Sequence, residues 1–320
     1  MSRTTPQQSR MVADVGGTNT RIALFDADKG QFEELRTYNN RDFASLEAII
    51  ESWLEDLQAQ RPETCCIAVA APPSTNRVTM VNIDWSFSCT ELARRFRFSR
   101  VSWLNDFQAT AHALPHLTTE DTQLLQAGHP ESGGKLATVG PGTGLGGSTL
   151  DWLDGKARTT ASEPGHMGLS PGTKLELELF RLLMAEHGEI YAELLVSGPG
   201  LVRLYQAHAR LRDATAEEMT PAAVTERALQ GQDRCCVQAL ETFCGLLASV
   251  CGDFALANGA YGGLYLAGGI VPRIIPFIRE SDFLLRFSAK GAMKSYLQAT
   301  PVHVITTAQP GLLGAAHAPL

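Results

Sequence analysis

An apolar run, a glycine-rich turn and a second apolar run occur together twice in this chain of 320 residues, and no other feature limits the available folds so strongly. In the first copy residues 11–15 lead into Gly16-Gly17-Thr18-Asn19-Thr20, and residues 21–25 leave it. In the second, residues 136–139 lead into Gly140-Pro141-Gly142-Thr143-Gly144-Leu145-Gly146-Gly147, and residues 148–153 leave it before the turn Asp154-Gly155. Each copy reads as two antiparallel strands joined across the turn. The repeat predicts two halves that face each other. Glycine and threonine let a backbone approach a ligand closely and offer N–H groups and a hydroxyl to phosphate oxygens. They also build plain hairpins, and both readings fit either loop taken alone. A third glycine pair, Gly268-Gly269 after the apolar run 264–267, favours the ligand reading for the set.

The rest of the chain predicts an α/β protein. A third strand over 32–38 extends the first hairpin into a meander. Leu46, Ile49, Ile50, Trp53, Leu54 and Leu57 form one stripe of an amphipathic helix over 45–58. Residues 65–71, stopped by Pro72-Pro73, and 101–104 are short and apolar on both faces, as in a sheet covered on both sides. The second ends at Asn105-Asp106, from which a helix over 107–114 runs to Pro115. Further helices are expected at 175–187, 200–212, 221–230 and 235–258, with late strands at 264–267 and 302–306.

Composition narrows the function. The formal net charge is −7, so the chain lacks the basic field of a nucleic-acid or anionic-lipid binder, and an anionic ligand must be held by backbone N–H groups or a metal. Residues 1–10 are polar with no apolar core of a signal peptide, and no uninterrupted apolar run reaches the ~18 residues of a membrane span. A cytoplasmic enzyme or binder is expected. The seven cysteines include the adjacent pairs Cys65-Cys66 and Cys235-Cys236 and form no C-x-x-C ladder, which reads as reduced thiols.

Competing nucleotide motifs can be tried on the residues. Gly142, Gly144 and Gly147 satisfy G-x-G-x-x-G after a strand, the mark of a dinucleotide-binding dehydrogenase. That loop must open a helix, whereas residues 148–153 alternate like a strand. The P-loop pattern fails at Lys135, which is followed by Leu136 instead of Ser or Thr.

Among the carboxylates, Asp106 stands where a strand ends and a helix begins, a position from which α/β sheets present catalytic groups to a crevice. It fits a general base drawing a proton from a substrate hydroxyl, and equally a cap on the helix at Phe107. Asp14 ends an apolar strand, where a charge needs a cation or donors; magnesium through water and an N–H-bonded turn both satisfy it. Glu163-Pro164-Gly165-His166 has E-x-x-H spacing, but Pro164 and Gly165 disfavour the helix a metal pair would use. A polyol-binding loop and a structural histidine both remain for it.

Together these segments resemble the bacterial glucokinase family. The match runs in order across nearly the whole chain: Asp14-Val15-Gly16-Gly17-Thr18-Asn19, Leu104-Asn105-Asp106-Phe107, Gly142-Thr143-Gly144-Leu145-Gly146, Glu163-Pro164-Gly165-His166, Glu193 before Ser197-Gly198-Pro199-Gly200, Leu266-Ala267-Gly268-Gly269-Ile270-Val271-Pro272-Arg273, and Pro310-Gly311-Leu312-Leu313-Gly314. The resemblance implies a two-domain actin-like, hexokinase-type (ribonuclease H-like) ATPase fold with a deep interdomain cleft. The smaller α/β domain would comprise residues 1–112 plus 307–320 and the larger 113–306, with the last helix returning to the first domain.

It also implies transfer of the ATP γ-phosphoryl group to the 6-hydroxyl of D-glucose with Mg2+, the first step of glycolysis, by a cytoplasmic homodimer. In that reading Asp106 is the base, and Asn105, Glu163, His166 and Glu193 bind sugar hydroxyls. Gly16, Gly17, Thr18, Asn19, Gly142 and Thr143 hold phosphates, Asp14 assists the metal, and Gly268 and Gly269 lie near the adenosine. One departure is visible: the family commonly has glycine after the glutamate, where Pro164 stands here. The related sugar kinases with a cysteine-rich zinc motif fit less well, since none follows His166, and residues 1–10 are too short for the helix-turn-helix of the related repressors. Three classes stand against one another: a hexose kinase, a nicotinamide-dependent dehydrogenase, and a non-catalytic sensor, against which Asp106 argues.

Overall fold

In the computed structural model, which describes residues 9–71, 77–80, 83–130 and 133–320, the described chain divides into two units. Unit 1 comprises Met1–Leu117 and Thr307–Leu320, and unit 2 Thr118–Thr306. Pro72 and Pro73, expected to stop a strand, lie outside the described residues.

Unit 1 is built on a five-stranded sheet. Its strands are β1 (Ser9–Val15), β2 (Asn19–Asp26), β3 (Gln31–Asn39), β4 (Thr64–Val69) and, after a small ribbon of β5 (Arg77–Thr79) and β6 (Ser86–Ser88), β7 (Arg100–Asn105). The order is β3-β2-β1-β4-β7, with the meander antiparallel and β1, β4 and β7 parallel. The apolar runs are continuous because both faces are covered. Met11, Ala13, Val15, Cys65, Ile67 and Val69 join the core against the helix α1 (Leu46–Glu55), while Val12, Cys66 and Ala68 join a second core with Leu312 and Ala315.

Helix α1 starts at Ser45, whose hydroxyl accepts the Ala48 N–H at 3.3 Å, and buries Leu46, Ile49, Ile50 and Trp53. It ends three residues before the expected 58, yet Leu57 still packs on the same core. Helices α2 (Cys89–Phe96) and α3 (Asp106–Ala113) follow; α3 ends just before Pro115, as expected, and Pro115 sits in a 3-10 turn, Leu114–His116. The C-terminal helix, Pro310–His317, lies on α3, with Gly314 so near the Ala109 carbonyl that a Cβ there would overlap it. Arg10 Nη1 donates to the carbonyls of Ala315, Ala316 and Ala318 at 3.0, 2.8 and 2.7 Å, satisfying acceptors that a helix end leaves open.

Unit 2 carries a six-stranded sheet of β8 (Thr122–Gln126), β9 (Leu136–Pro141), β10 (Leu145–Leu153), β11 (Lys156–Ser162), β12 (Gly263–Leu266) and β13 (Val302–Ile305), in the order β11-β10-β9-β12-β13-β8. Its helices include α4 (Lys174–His187), α5 (Ala192–Leu195), α6 (Gly198–Arg210), α7 (Pro221–Leu229), α8 (Arg234–Asn258), α9 (Ile275–Glu280), α10 (Phe283–Ser288) and α11 (Lys294–Ala299). Helix α8 is capped by Asp233, which accepts from Cys235 and Cys236 N–H at 2.7 and 3.1 Å, and ends at Gly259 with φ +63°. Among the described residues it alone is long and apolar enough to cross a membrane, but 72% of its apolar window is buried in the core of unit 2.

Two histidines are buried in the packing. His208 on α6 bonds Thr242 on α8 at 2.9 Å, and burial lowers its pKa to about 4; burial, reinforced by His116, does the same to His112 on α3. An unfolded histidine titrates near 6.5, so between about pH 6.5 and 4 the unfolded chain binds more protons and stability falls as pH falls. We expect the melting temperature to drop across that window, and less steeply in His208→Gln, which keeps a partner for Thr242 but takes no proton. Identical slopes for the two proteins in thermal melts at stepped pH would remove His208 as a cause.

Candidate functional site

In unit 1 the sequence-predicted residues gather at one edge of the sheet. Val15, Val69 and Asn105 are level across the parallel strands, so the turn after β1 and the Asn105-Asp106 pair after β7 leave the same carboxyl edge. Two strand spacings separate them by about 10 Å. Asn105 is the N-cap of α3: its Oδ1 accepts the Phe107 N–H at 2.9 Å, and its Nδ2 donates to Ala71 O at 3.1 Å. Asp106 is the first residue of α3, and its Oδ1 shares the Phe107 N–H at 2.9 Å. The capping role considered for Asp106 is therefore shared with Asn105, which holds the N-cap position.

The turn itself is closed by the Gly16 N–H donating to Asn19 O at 3.0 Å, which leaves Thr18 and Asn19 exposed. It is held from beneath by Asn40, which sequence reasoning missed. Buried Asn40 donates from Nδ2 to Gly16 O at 2.7 Å, accepts from Thr20 Oγ1 at 2.8 Å, and donates its own N–H to Thr18 O at 2.8 Å. Asp14 is partly covered, 3.7 Å from Arg21 and against Gly311 at the start of the C-terminal helix. Burial pushes its carboxyl above the ordinary range, and Arg21 offsets part of that shift. Among the described residues no three His, Cys, Asp or Glu side chains are grouped to hold a metal. A hydrated Mg2+ fits Asp14 on different grounds, since that ion keeps its waters and takes one or two carboxylates plus phosphate oxygens.

In unit 2 the remaining predicted residues meet around the second glycine loop. Parallel β9 and β12 end side by side, with Gly268 at φ +84° and its Cα against Pro141 O, a close approach that only glycine permits. The G-x-G-x-x-G spacing at 142, 144 and 147 opens β10, a strand, so no helix N-terminus stands there for a pyrophosphate. Glu163 precedes a 3-10 turn, Pro164–His166, in which Pro164 and Gly165 are buried while Glu163 and His166 are exposed. The Pro164 ring seats on Gly147, where a Cβ would lie 2.8 Å from Pro164 Cγ, so the departure from the family's glycine is matched by packing. Glu193 on α5 ties the two loops together: its Oε2 accepts the Leu145 N–H at 2.8 Å and lies 3.1 Å from where a Cβ of Gly165 would be.

A cavity of about 940 Å3 opens beside this loop, lined by Gly142, Thr143 and Gly269 with α7 and the residues after β12. Its size suits a nucleotide-sized ligand. Ile270 and Arg273, from the segment that carried the resemblance, line it together with Thr225, Glu226, Leu229 and Gln230 on or next to α7, which sequence reasoning did not single out. For the α7 residues the sequence signal was the helix expected over 221–230, which starts with Thr220 Oγ1 accepting the Ala223 N–H at 3.2 Å.

The fold is shared with a ROK-family glucokinase from Streptomyces griseus, solved with glucose and AMPPNP, which superposes with TM-score 0.63 at 20% identity, covering 96% of this chain and 98% of that one. The crystal structure of a glucokinase from an Antarctic psychrotroph superposes with TM-score 0.90 at 37% identity, covering 97% of this chain and 98% of that one. The glucokinase of Saccharophagus degradans is 39% identical over 309 residues, 96% of each chain. The glucokinase family model matches residues 11–319, and the chain belongs to the glucokinase family.

Proposed function

We propose that this chain phosphorylates D-glucose from ATP, giving glucose 6-phosphate and ADP. The observation that carries the reading is the shared carboxyl edge of β1, β4 and β7, at which Asp14, the Gly16–Asn19 turn and Asn105-Asp106 stand together. Asp106 accepts the proton of the 6-hydroxyl as that oxygen bonds the γ-phosphorus and the bond to ADP breaks. Asn105, Glu163, His166 and Glu193 hold the other sugar hydroxyls, for which carboxylates accept and a neutral imidazole both donates and accepts. The N–H groups of Gly16, Gly17, Asn19, Gly142 and Thr143, with the Thr18 and Thr143 hydroxyls, take phosphate oxygens, and the adenosine occupies the cavity beside Gly268-Gly269 and α7.

Magnesium bound with ATP would neutralise phosphate charge near Asp14, a need that the acidic chain cannot meet with a basic field. The reading includes, as the family resemblance implies, a site that closes over sugar and excludes water from the reacting phosphoryl group. It also includes a cytoplasmic homodimer, as the family resemblance implies. ADP release measured with glucose, fructose, mannose and no sugar is the primary test; release that ignores sugar would overturn the reading.

A binding prediction separates sugar residues from structural ones. Glu163→Ala removes a charged hydroxyl partner and His166→Ala a neutral one; hydrogen bonds to charged groups contribute about 1.5–3 kcal/mol and neutral ones about 0.5–1.5, so glucose affinity should fall by about 10–100-fold in the first and about 2–10-fold in the second. Nucleotide affinity without sugar should stay within about twofold. Calorimetric titration of each ligand checks this, and equal losses for both ligands would assign the turn a structural role.

A further inference from the structure

The peptide between Gly144 and Leu145 is held from both sides. Its N–H donates to Glu193 Oε2 at 2.8 Å, and its carbonyl accepts the Gly142 N–H at 2.7 Å. A peptide is a rigid plane with C=O and N–H pointing opposite ways, so a tilt imposed on one group is delivered to the other. No side chain can cushion the contact, because a Cβ on Gly144 would lie 2.5 Å from Glu193 Oε2. The Glu193 carboxylate therefore holds the plane that engages the Gly142 N–H, and Gly142 lines the 940 Å3 cavity.

The segment carrying Glu193 is fastened to both halves of the site. At its start the Tyr191 ring stacks on His166, with centroids 5.9 Å apart and planes 18° apart, and the Ala192 N–H donates to Met167 O at 2.9 Å. At its end Ser197 Oγ donates to Glu193 O at 2.7 Å and accepts the Gly200 N–H at 3.0 Å, while the Gly198 N–H donates to Gly142 O at 2.8 Å. Residues 191–198 thus touch the Glu163–His166 turn at one end and the glycine loop at the other.

We propose that residues 191–198 are a strap coupling sugar occupancy to nucleotide affinity, with Tyr191 and Ser197 as positioning residues. Sugar hydroxyls drawn to Glu193 and His166 shift the strap and tilt the Gly144–Leu145 peptide. The Gly142 N–H is then released from Gly144 O and becomes a donor for a nucleotide phosphate oxygen. Without sugar, the nucleotide must break that intraloop bond itself and binds more weakly. This inference rests on the proposed sugar and phosphate roles of the two loops.

The test is calorimetric titration of a non-hydrolysable ATP analogue with Mg2+, with and without saturating glucose. The unsubstituted protein should bind the analogue at least about fivefold more tightly with glucose, the lower range of allosteric couplings. In Ser197→Ala and Tyr191→Ala the ratio should fall to about one while each ligand still binds alone, and Tyr191→Phe, which keeps the ring, should retain the full ratio. A merely structural role would weaken both binary affinities and leave the ratio intact. A full ratio in both alanine variants, or a ratio of about one in the unsubstituted protein although both ligands bind, overturns the strap. Failure of the unsubstituted protein to bind glucose at all overturns the sugar-kinase reading instead.

Discussion

Asp106→Asn should fold, bind glucose and lose turnover by about 10²–10⁴-fold, the usual contribution of a general base. In barrier terms that is about 3–5 kcal/mol. The substitution isolates the chemistry because it removes the proton acceptor with little change in shape. Asparagine keeps an Oδ1 for the Phe107 N–H, which Asp106 meets at 2.9 Å, and Asn105 continues to cap α3 through the same N–H. The melting temperature should therefore stay close to that of the unsubstituted protein. Asn105→Ala behaves in the opposite sense for stability, losing the cap and the bond to Ala71 O, at a cost of about 1 kcal/mol. The ADP-release rate, glucose titration and a thermal melt on both variants separate the roles. Near-normal turnover in Asp106→Asn would remove it as the base, and a large fall in its melting temperature would make the helix start its main task.

How much of this was legible in the sequence depended on whether the signal was local. The strands around Gly16–Asn19 and Gly142–Gly147 followed from apolar runs broken by glycine, and the alternation of residues 148–153 sufficed to distinguish β10 from a dinucleotide-binding helix. Both turns came with their flanking strands because hairpin chemistry is written within a few residues. Asn40 was invisible for the reverse reason: its amide serves Gly16 and Thr20, and nothing near it in sequence marks it. The α7 wall of the cavity is similarly tertiary, since Thr225, Glu226 and Gln230 read as an ordinary helix surface until the glycine loop is set beside them. Edge strands β8 and β11 escaped because Thr122–Gln126 and Lys156–Ser162 are mostly polar, and an edge strand need bury little. Pro164 was legible as a departure, but its seat on Gly147 was not.

Arg286→Met should destabilise unit 2 by about 3–5 kcal/mol, the cost of stranding a buried charge. Glu176 on α4 is 5% exposed and Arg286 on α10 14% exposed, and the guanidinium grips the carboxylate with two bonds, Nη1 to Oε1 at 2.7 Å and Nη2 to Oε2 at 3.1 Å. The Gly172 N–H also donates to Glu176 Oε2 at 2.6 Å, and Arg286 Nη2 reaches Ser249 Oγ on α8 at 3.0 Å, so four chain segments converge on one ion pair. Space for the guanidinium exists because Gly172 has no side chain; a Cβ there would lie 2.5 Å from Nη2. Methionine fills part of the volume but offers Glu176 no donor, and water has little access. The double variant Glu176→Met/Arg286→Met should recover part of the loss, because apolar replacement of both partners is close to neutral where packing is retained. A residual cost of about 1–3 kcal/mol should remain from the Gly172 N–H, which loses its acceptor. Urea unfolding of the two variants reads both values. A single variant within about 1 kcal/mol of the unsubstituted protein would mean that Glu176 regains hydration once Arg286 is removed, and that the pair fastens α4 to α10 no more firmly than a surface bridge.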